Sequence, residues 1–323
     1  MSARDDRIAI GKRRIKYILK DRLYANQRQL ESKISEAGPD HQRVDPHLLS
    51  VGIRDLVKTG EIIEQRGPFN TKFFTLPSFD VSFPDDSNRK ALIDGLYHRF
   101  HDVTKQRSLC GDALETVVRA SFSDAGGYQE IGSRSHPVIS FGQLQLPGEL
   151  DTIQICSAPL MLVIVEAKNI REWIYPDKED FWSLVNKALA LQDAIFPILP
   201  LFVARKIPYY TRVAMKEIGV LGFEMHKQYF DPSVQADVAR FRDKDQLGFH
   251  DVTASLSASE PFTTYLKQTV KLHGPDYAAR FKSNAPVLSR FAAQLANPDV
   301  RFDVRKGLYQ AVLAQLKLID RIP

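Results

Sequence analysis

Residues 160–165 read Leu-Met-Leu-Val-Ile-Val, and charge returns at once in Glu166-Ala167-Lys168. An apolar run of that length, ended so sharply, predicts a buried strand that opens onto water at its last residues. A chain holding such a strand must cover it, so this run constrains the fold more than any other stretch. The residues before it, Gly-Glu-Leu-Asp-Thr-Ile-Gln-Ile-Cys at 148–156, also have strand character, and Ser157-Ala158-Pro159 predicts the turn of a hairpin. That hairpin brings Asp151 alongside Glu166 and Lys168. Strand side chains alternate between faces, so Glu166 and Lys168 point one way and Ala167 the other.

Two carboxylates at one point repel each other unless a hard cation lies between them. Magnesium prefers oxygen ligands and keeps several waters, which suits such a pair. It lowers the pKa of a bound water and neutralises charge on a phosphate. A lysine beside the pair orients the attacking water or stabilises developing negative charge. These are the needs of phosphodiester hydrolysis.

On these residues the chain resembles the PD-(D/E)XK nuclease superfamily: Asp151, the Glu166-Ala167-Lys168 element and the apolar strand before it. Leu150 stands where the family name has proline. The resemblance covers roughly the middle half of the chain. It implies an α/β fold, a restriction-endonuclease-like mixed sheet flanked by helices. It also implies a glutamate on an earlier helix, which falls on Glu115 in Gly111-Asp112-Ala113-Leu114-Glu115. Mg2+ would then be held by Asp151 and Glu166, with Glu115 contributing through a water or as an outer ligand. Lys168 would position the nucleophilic water. Related nucleases place a polar residue on the helix after the hairpin, here Lys187 or Gln192. Glu130 is an alternative acidic contributor or a solvated strand residue.

The N-terminal part reads differently. Residues 8–21 predict a helix with Ile8, Ile15, Ile18 and Leu19 inward, and residues 25–37 a second. A third starts from an Asp45 cap with Pro46 in its first turn. Strand-like runs at 61–65 and 71–76 flank a turn at 66–70. Three helices and a hairpin resemble a winged helix, which implies a third helix exposing Ser50, Arg54 and Lys58 to duplex DNA and a wing carrying Arg66 and Lys72. Arg13 and Arg14 stand in a basic crowd, with Arg7, Lys12, Lys16, Lys20, Arg22 and Arg28, that suits a phosphate backbone.

Residues 77–88 read as a linker. Helices are expected at 89–105, 109–122, 180–195, 211–218 and 233–241. Strands are expected from 128 to 131, at 198–204 broken by Pro200, at 220–225 and at 247–252. Residues 169–178 form a polar connection, and Arg205-Lys206 is a further candidate for phosphate. Helices at 261–272, 275–295 and 302–322 suggest a C-terminal bundle or dimerisation element. The expected division is 1–79 winged helix, 80–255 nuclease domain and 256–323 helical region. His226 and His250 read as structural.

The chain has 323 residues, a formal net charge of +5 and a pI of about 9.0. Two cysteines give neither a disulfide framework nor a zinc motif. No apolar run is long enough to span a bilayer and the first residues lack a signal peptide's apolar core, so a cytoplasmic protein with no membrane partner is expected. No glycine-rich phosphate loop points to an ATPase. The expectation is a Mg2+-dependent DNA endonuclease, foremost a type II restriction enzyme, whose palindromic target would favour a homodimer. A repair, recombination or defence nuclease is the second reading, and a catalytically inactive DNA-binding regulator the third.

Overall fold

The computed structural model describes residues 3–36, 43–79, 84–131, 140–141, 144–192 and 196–318. The chain divides into two compact units. One is Met1–Leu109 with Ser233–Ala254; the other is Cys110–Pro232 with Ser255–Pro323. The break after Ala254 falls within one residue of the expected boundary at 255, while the other breaks fall after Leu109 and Pro232 and not at 79.

The first unit runs α1 (Ala3–Arg22), β1 (Tyr24–Asn26), α2 (Gln27–Ile34), α3 (Pro46–Lys58), β2 (Ile63–Arg66), β3 (Lys72–Thr75) and α4 (Pro84–Lys105). Its sheet has the order β1-β3-β2, antiparallel throughout. Ile15, Leu19, Leu30, Ile34, Leu49, Ile53 and Phe74 fill the space between helices and sheet. The helix expected from residue 25 starts two residues later, because Asn26 stops it. Its side chain accepts from Gln29 N at 2.9 Å, and Gln29 Oε1 accepts the Asn26 N–H at 3.0 Å. This reciprocal cap leaves residues 24–26 extended and paired with β3. Asp45 makes no side-chain cap, so Pro46 alone marks the start of α3. Part of the expected linker is helical, since α4 begins at Pro84.

Residues 233–254 belong to this unit by contact. The helix Gln235–Arg242 is tied to α4 by Arg99 and Asp237 at 2.6 Å, and Phe100 packs edge-on against Phe241. The Arg22 guanidinium donates to Gln246 O at 3.0 Å and to Lys244 O. The strand expected over 247–252 does not form. Gly248 takes φ +68°, a turn conformation, and extended pairing starts only at Val252.

The second unit is built on a mixed sheet of order β10-β9-β8-β7-β4. Its elements are α5 (Asp112–Ala125), β4 (Tyr128–Ile131), the short pair β5 (Ser140–Phe141) and β6 (Leu144–Gln145), β7 (Thr152–Ser157), β8 (Leu160–Lys168), α6 (Glu179–Leu189), β9 (Ile198–Ala204), α7 (Tyr209–Ile218) and β10 (Leu221–Glu224). β7 and β8 form the antiparallel hairpin, with Ile153 opposite Ile164. β8, β9 and β10 run parallel. Leu162 and Ile164 pack with Phe181, Trp182 and Val185 of α6. Val163 and Val165 pack on the other face with Leu114, Val117 and Val118 of α5. Each fully buried side chain of this kind contributes roughly 1.5–3 kcal/mol.

Pro200 does not break β9. Pro197 O accepts from Leu162 N on one side, and Ala204 O accepts from Met225 N on the other. Alternation therefore turns Pro200 towards β10, which begins only opposite Leu201. The missing N–H falls where no ladder bond is due.

The C-terminal helices form no separate bundle. Ala278 joins the α5 face of the sheet, while Phe281, Leu288, Leu295, Val312 and Leu313 complete the α6 face. Pro275 and Pro286 lie inside one helix, Lys271–Leu288. Among the described residues no helix is long and apolar enough to cross a membrane.

Candidate active site

The hairpin register pairs Thr152 with Val165, which sets Asp151 opposite Glu166 just past the ladder's end. Asp151 Oδ2 accepts the Ala167 N–H at 2.5 Å, so the carboxylate caps the backbone of β8. The Asp151 carbonyl accepts from Arg119 of α5. Arg119 also pairs with Glu130 at 2.9 Å, and Thr152 Oγ1 donates to Glu130 at 3.2 Å. Glu130 is thus a strut beside the Asp151 backbone as well as the exposed strand residue expected.

Glu166 is 3 % exposed and clasped by lysines. Lys168 Nζ lies 2.9 Å from Oε1, and Lys187 Nζ lies 2.7 Å from Oε2. Lys168 also reaches Asp180 at 3.3 Å. Glu166 and Lys168 share the α6 face of β8 by strand alternation. Asp180 and Lys187, seven residues apart on α6, lie on one stripe of that helix two turns apart. Glu115 is buried on α5, one turn before Arg119, and acts on Asp151 through its charge.

Burial pushes the Asp151 carboxyl up to about 7, and the charges of Glu166 and Glu115 push it the same way. The Ala167 N–H and Lys168 oppose them only in part. For Lys168, burial works against the ammonium, but Glu166, Asp180 and Asp151 more than offset it and hold its pKa above the ordinary value. The site therefore keeps a protonated lysine and is short of positive charge at Asp151.

The donors here are all carboxylate oxygens, the chemistry that suits a hard divalent cation. The reluctance of Asp151 to ionise marks where such a cation would be stabilising. The three expected ligands are not gathered as a set, however. Both Glu166 oxygens face lysines, and among the described residues no group of three or more His, Cys, Asp or Glu could hold a metal ion. Asp151 and Glu166 are the pair that fits, with Glu115 in an outer role.

Of the two residues expected from α6, Lys187 arrives, while Gln192 lies beyond that helix's end. Arg119 and Asp180 were not anticipated, although their spacing from Glu115 and Lys187 is helical. Arg205 is 1 % exposed and donates to Ile170 O and Arg171 O, so it is no phosphate contact. Lys206 and His226 both pair with Glu224, each at 2.9 Å. In the first unit His250 Nδ1 lies 3.3 Å from Ser32 Oγ.

In the first unit the expected DNA contacts divide. Arg13, Arg54, Lys58, Arg66 and Lys72 are exposed. Ser50 is not: it donates to Pro46 O at 2.8 Å and accepts from Gln27 Nε2 at 3.0 Å. Arg14 is half-buried, its guanidinium donating to Lys33 O at 2.9 Å. Arg66 and Lys72 flank Glu64 at 3.6 and 3.0 Å, which halves the net charge of that hairpin. Comparison with family models, with curated proteins and with solved structures finds no match to this chain.

Proposed function

We propose that the protein is a metal-dependent deoxyribonuclease of the PD-(D/E)XK type, whose second unit cleaves and whose first unit binds duplex DNA. One observation carries this reading: Asp151, Glu166 and Lys168 meet at the open end of the β7–β8 hairpin, in a mixed sheet with α5 and α6 on its two faces. Asp151 and Glu166, with Glu115 in support, would hold Mg2+, which when bound neutralises phosphate charge and lowers the pKa of a bound water. Lys168 stays protonated and presents its ammonium beside Glu166, where it orients a water and stabilises charge developing on the phosphate. Lys187 holds the second oxygen of Glu166 and fixes the carboxylate's plane. The order helix, strand, two helices, two strands in the first unit agrees with a winged helix, with α3 presenting Arg54 and Lys58 to the major groove.

Sequence-specific restriction remains the leading form of this activity, with a homodimer on a palindromic site. Incubation of supercoiled plasmid with the protein and Mg2+ tests it. Discrete fragments support restriction, and a continuous smear or structure-dependent nicking supports repair or defence. Asp151→Ala should abolish cleavage while duplex binding survives in Ca2+. Undiminished cutting by that variant refutes the site, and binding without any cleavage by the parent protein favours an inactive regulator.

A further inference from the structure

The first unit encloses a second feature, separate from its exposed basic residues. Arg14, Tyr17, Ile18, Asp21 and Arg22 recur at the three- and four-residue spacing of one stripe on α1. Together with Lys33 of α2 they line a cavity of about 430 Å3. That volume falls within the roughly 300–1,000 Å3 of small-molecule sites.

The cavity is built and not a chance gap between side chains. Arg22 is 3 % exposed and anchored through the carbonyls of Lys244 and Gln246. Gly248, at φ +68°, passes so close that a Cβ there would lie 2.5 Å from Arg22 Nη2. The loop is thus shaped around the guanidinium. Arg14 is fixed against the end of α2 through Lys33 O and Ile34 O. Among the described lining residues three side chains are cationic and one, Asp21, is a carboxylate. Burial draws the pKa of Lys33 down, and Arg22 adds to the effect. Burial does the same to Arg22, with Arg89 adding repulsion. Asp21 and Asp245 oppose both shifts, and Asp243 that of Arg22, without cancelling the effect of burial.

We propose that this cavity binds a nucleotide, with its phosphate on Arg14, Arg22 and Lys33 and its base on the ring of Tyr17. Tyr17 is 76 % exposed and offers a free-standing aromatic face, and Ile18 supplies apolar floor beside it. Asp21 asks for a donor, and ribose hydroxyls provide one. An inorganic anion would use the cations alone and leave Tyr17 and Asp21 without a role. A nucleotide uses all of the lining, by charge-assisted bonds and stacking. Its lining belongs to the first unit and the cleavage residues to the second, so its ligand would act as an effector of the first unit.

The test is equilibrium binding by the full-length protein in EDTA, which keeps nucleotides off any metal at Asp151. The probes are the four ribonucleoside monophosphates and triphosphates, inorganic phosphate and a short DNA duplex. One ribonucleotide should saturate the protein. Lys33→Glu and Tyr17→Ala should each weaken it by at least about tenfold, the size expected for losing one charged or stacking contact. Both residues carry part of their surface in water, so the fold should survive, as circular dichroism would verify. Asp151→Asn should bind the nucleotide unchanged, which separates this site from the nuclease reading. Phosphate should compete weakly and ignore Tyr17→Ala. The proposal is overturned if no ribonucleotide saturates the protein, if both variants bind it normally, or if phosphate binds as tightly as every nucleotide. It is also overturned if only the duplex binds and Lys33→Glu weakens it, since the cavity would then belong to a DNA surface.

Discussion

Asp151→Asn should make the protein more stable at neutral and alkaline pH while destroying its proposed activity. The native carboxyl holds its proton up to about 7, against an ordinary value of 3.8 in the unfolded chain. Between these values the native state binds more protons than the unfolded state, so the free energy of unfolding falls as pH rises. At 1.36 kcal/mol per pH unit, the full rise corresponds to about 4 kcal/mol of lost stability above pH 7. Glu166 and Glu115 share in that repulsion, and the carboxyl keeps some contact with water. A net gain of about 2–4 kcal/mol on neutralising Asp151 is therefore expected. Asparagine keeps an oxygen to accept the Ala167 N–H and turns donors, not charge, towards the glutamates. Urea unfolding of both proteins in EDTA, at about pH 4 and about pH 8, measures the effect. The variant should unfold at higher urea at the upper pH, and the gap should close at the lower one. Added Mg2+ should raise the parent's midpoint at the upper pH and leave the variant's unchanged. A variant less stable than its parent at the upper pH, or a gap independent of pH, would refute the reasoning.

Lys168→Ala should lower the single-turnover cleavage rate by a factor on the order of a hundred or more with little change in duplex affinity. A normal rate with weak binding would make Lys168 a docking residue. Lys187→Ala leaves buried Glu166 Oε2 without its 2.7 Å partner, and should cost about 2–4 kcal/mol in urea unfolding at pH 8. Lys187→Arg should restore part of it, and an unaffected midpoint would show that Lys168 alone satisfies Glu166. Arg54→Ala and Lys58→Ala should weaken duplex binding and reduce its salt slope by about one each if they touch phosphate. A loss confined to one sequence, roughly 1–3 kcal/mol, would instead mark a base contact.

The hairpin and its charged end were legible because they rest on the simplest signals: an unbroken apolar run, a turn and strand alternation. The same alternation places Glu166 and Lys168 on one face without any knowledge of the sheet. What the sequence hid was long-range or reciprocal. Asn26 shortens a helix through a bond with Gln29 that periodicity does not register. Pro200 reads as a strand breaker until the neighbouring strand is known to start one residue later. Arg119 and Asp180 carry ordinary helical charges, and only the packing of α5 and α6 on opposite faces of β8 turns them towards the site. Ser50 and Arg14 fail as exposed contacts because each found a partner on α2, a contact between helices. The C-terminal helices carry apolar stripes that would suit a bundle equally well. Their true counterpart, the sheet, was supplied by residues far earlier in the chain.

The discontinuity of the first unit sets the timing of its birth. When Leu109 leaves the ribosome, Arg22 still lacks the carbonyls of Lys244 and Gln246, and Phe100 lacks Phe241. At about 5–20 residues per second, those partners follow only after roughly seven seconds to half a minute, when the whole β4–β10 segment has been made. The nascent N-terminal part must wait in an incomplete state, its guanidinium and aromatic surface open to chaperones, and the sheet made meanwhile waits in turn for the C-terminal helices that complete its α6 face. The first unit has all its residues only once Ala254 is made, and the second only once the C-terminal helices follow. A fragment cut at residue 79 or 109 would keep the core from Ile15 to Phe74 and leave Arg22 without the carbonyls of Lys244 and Gln246.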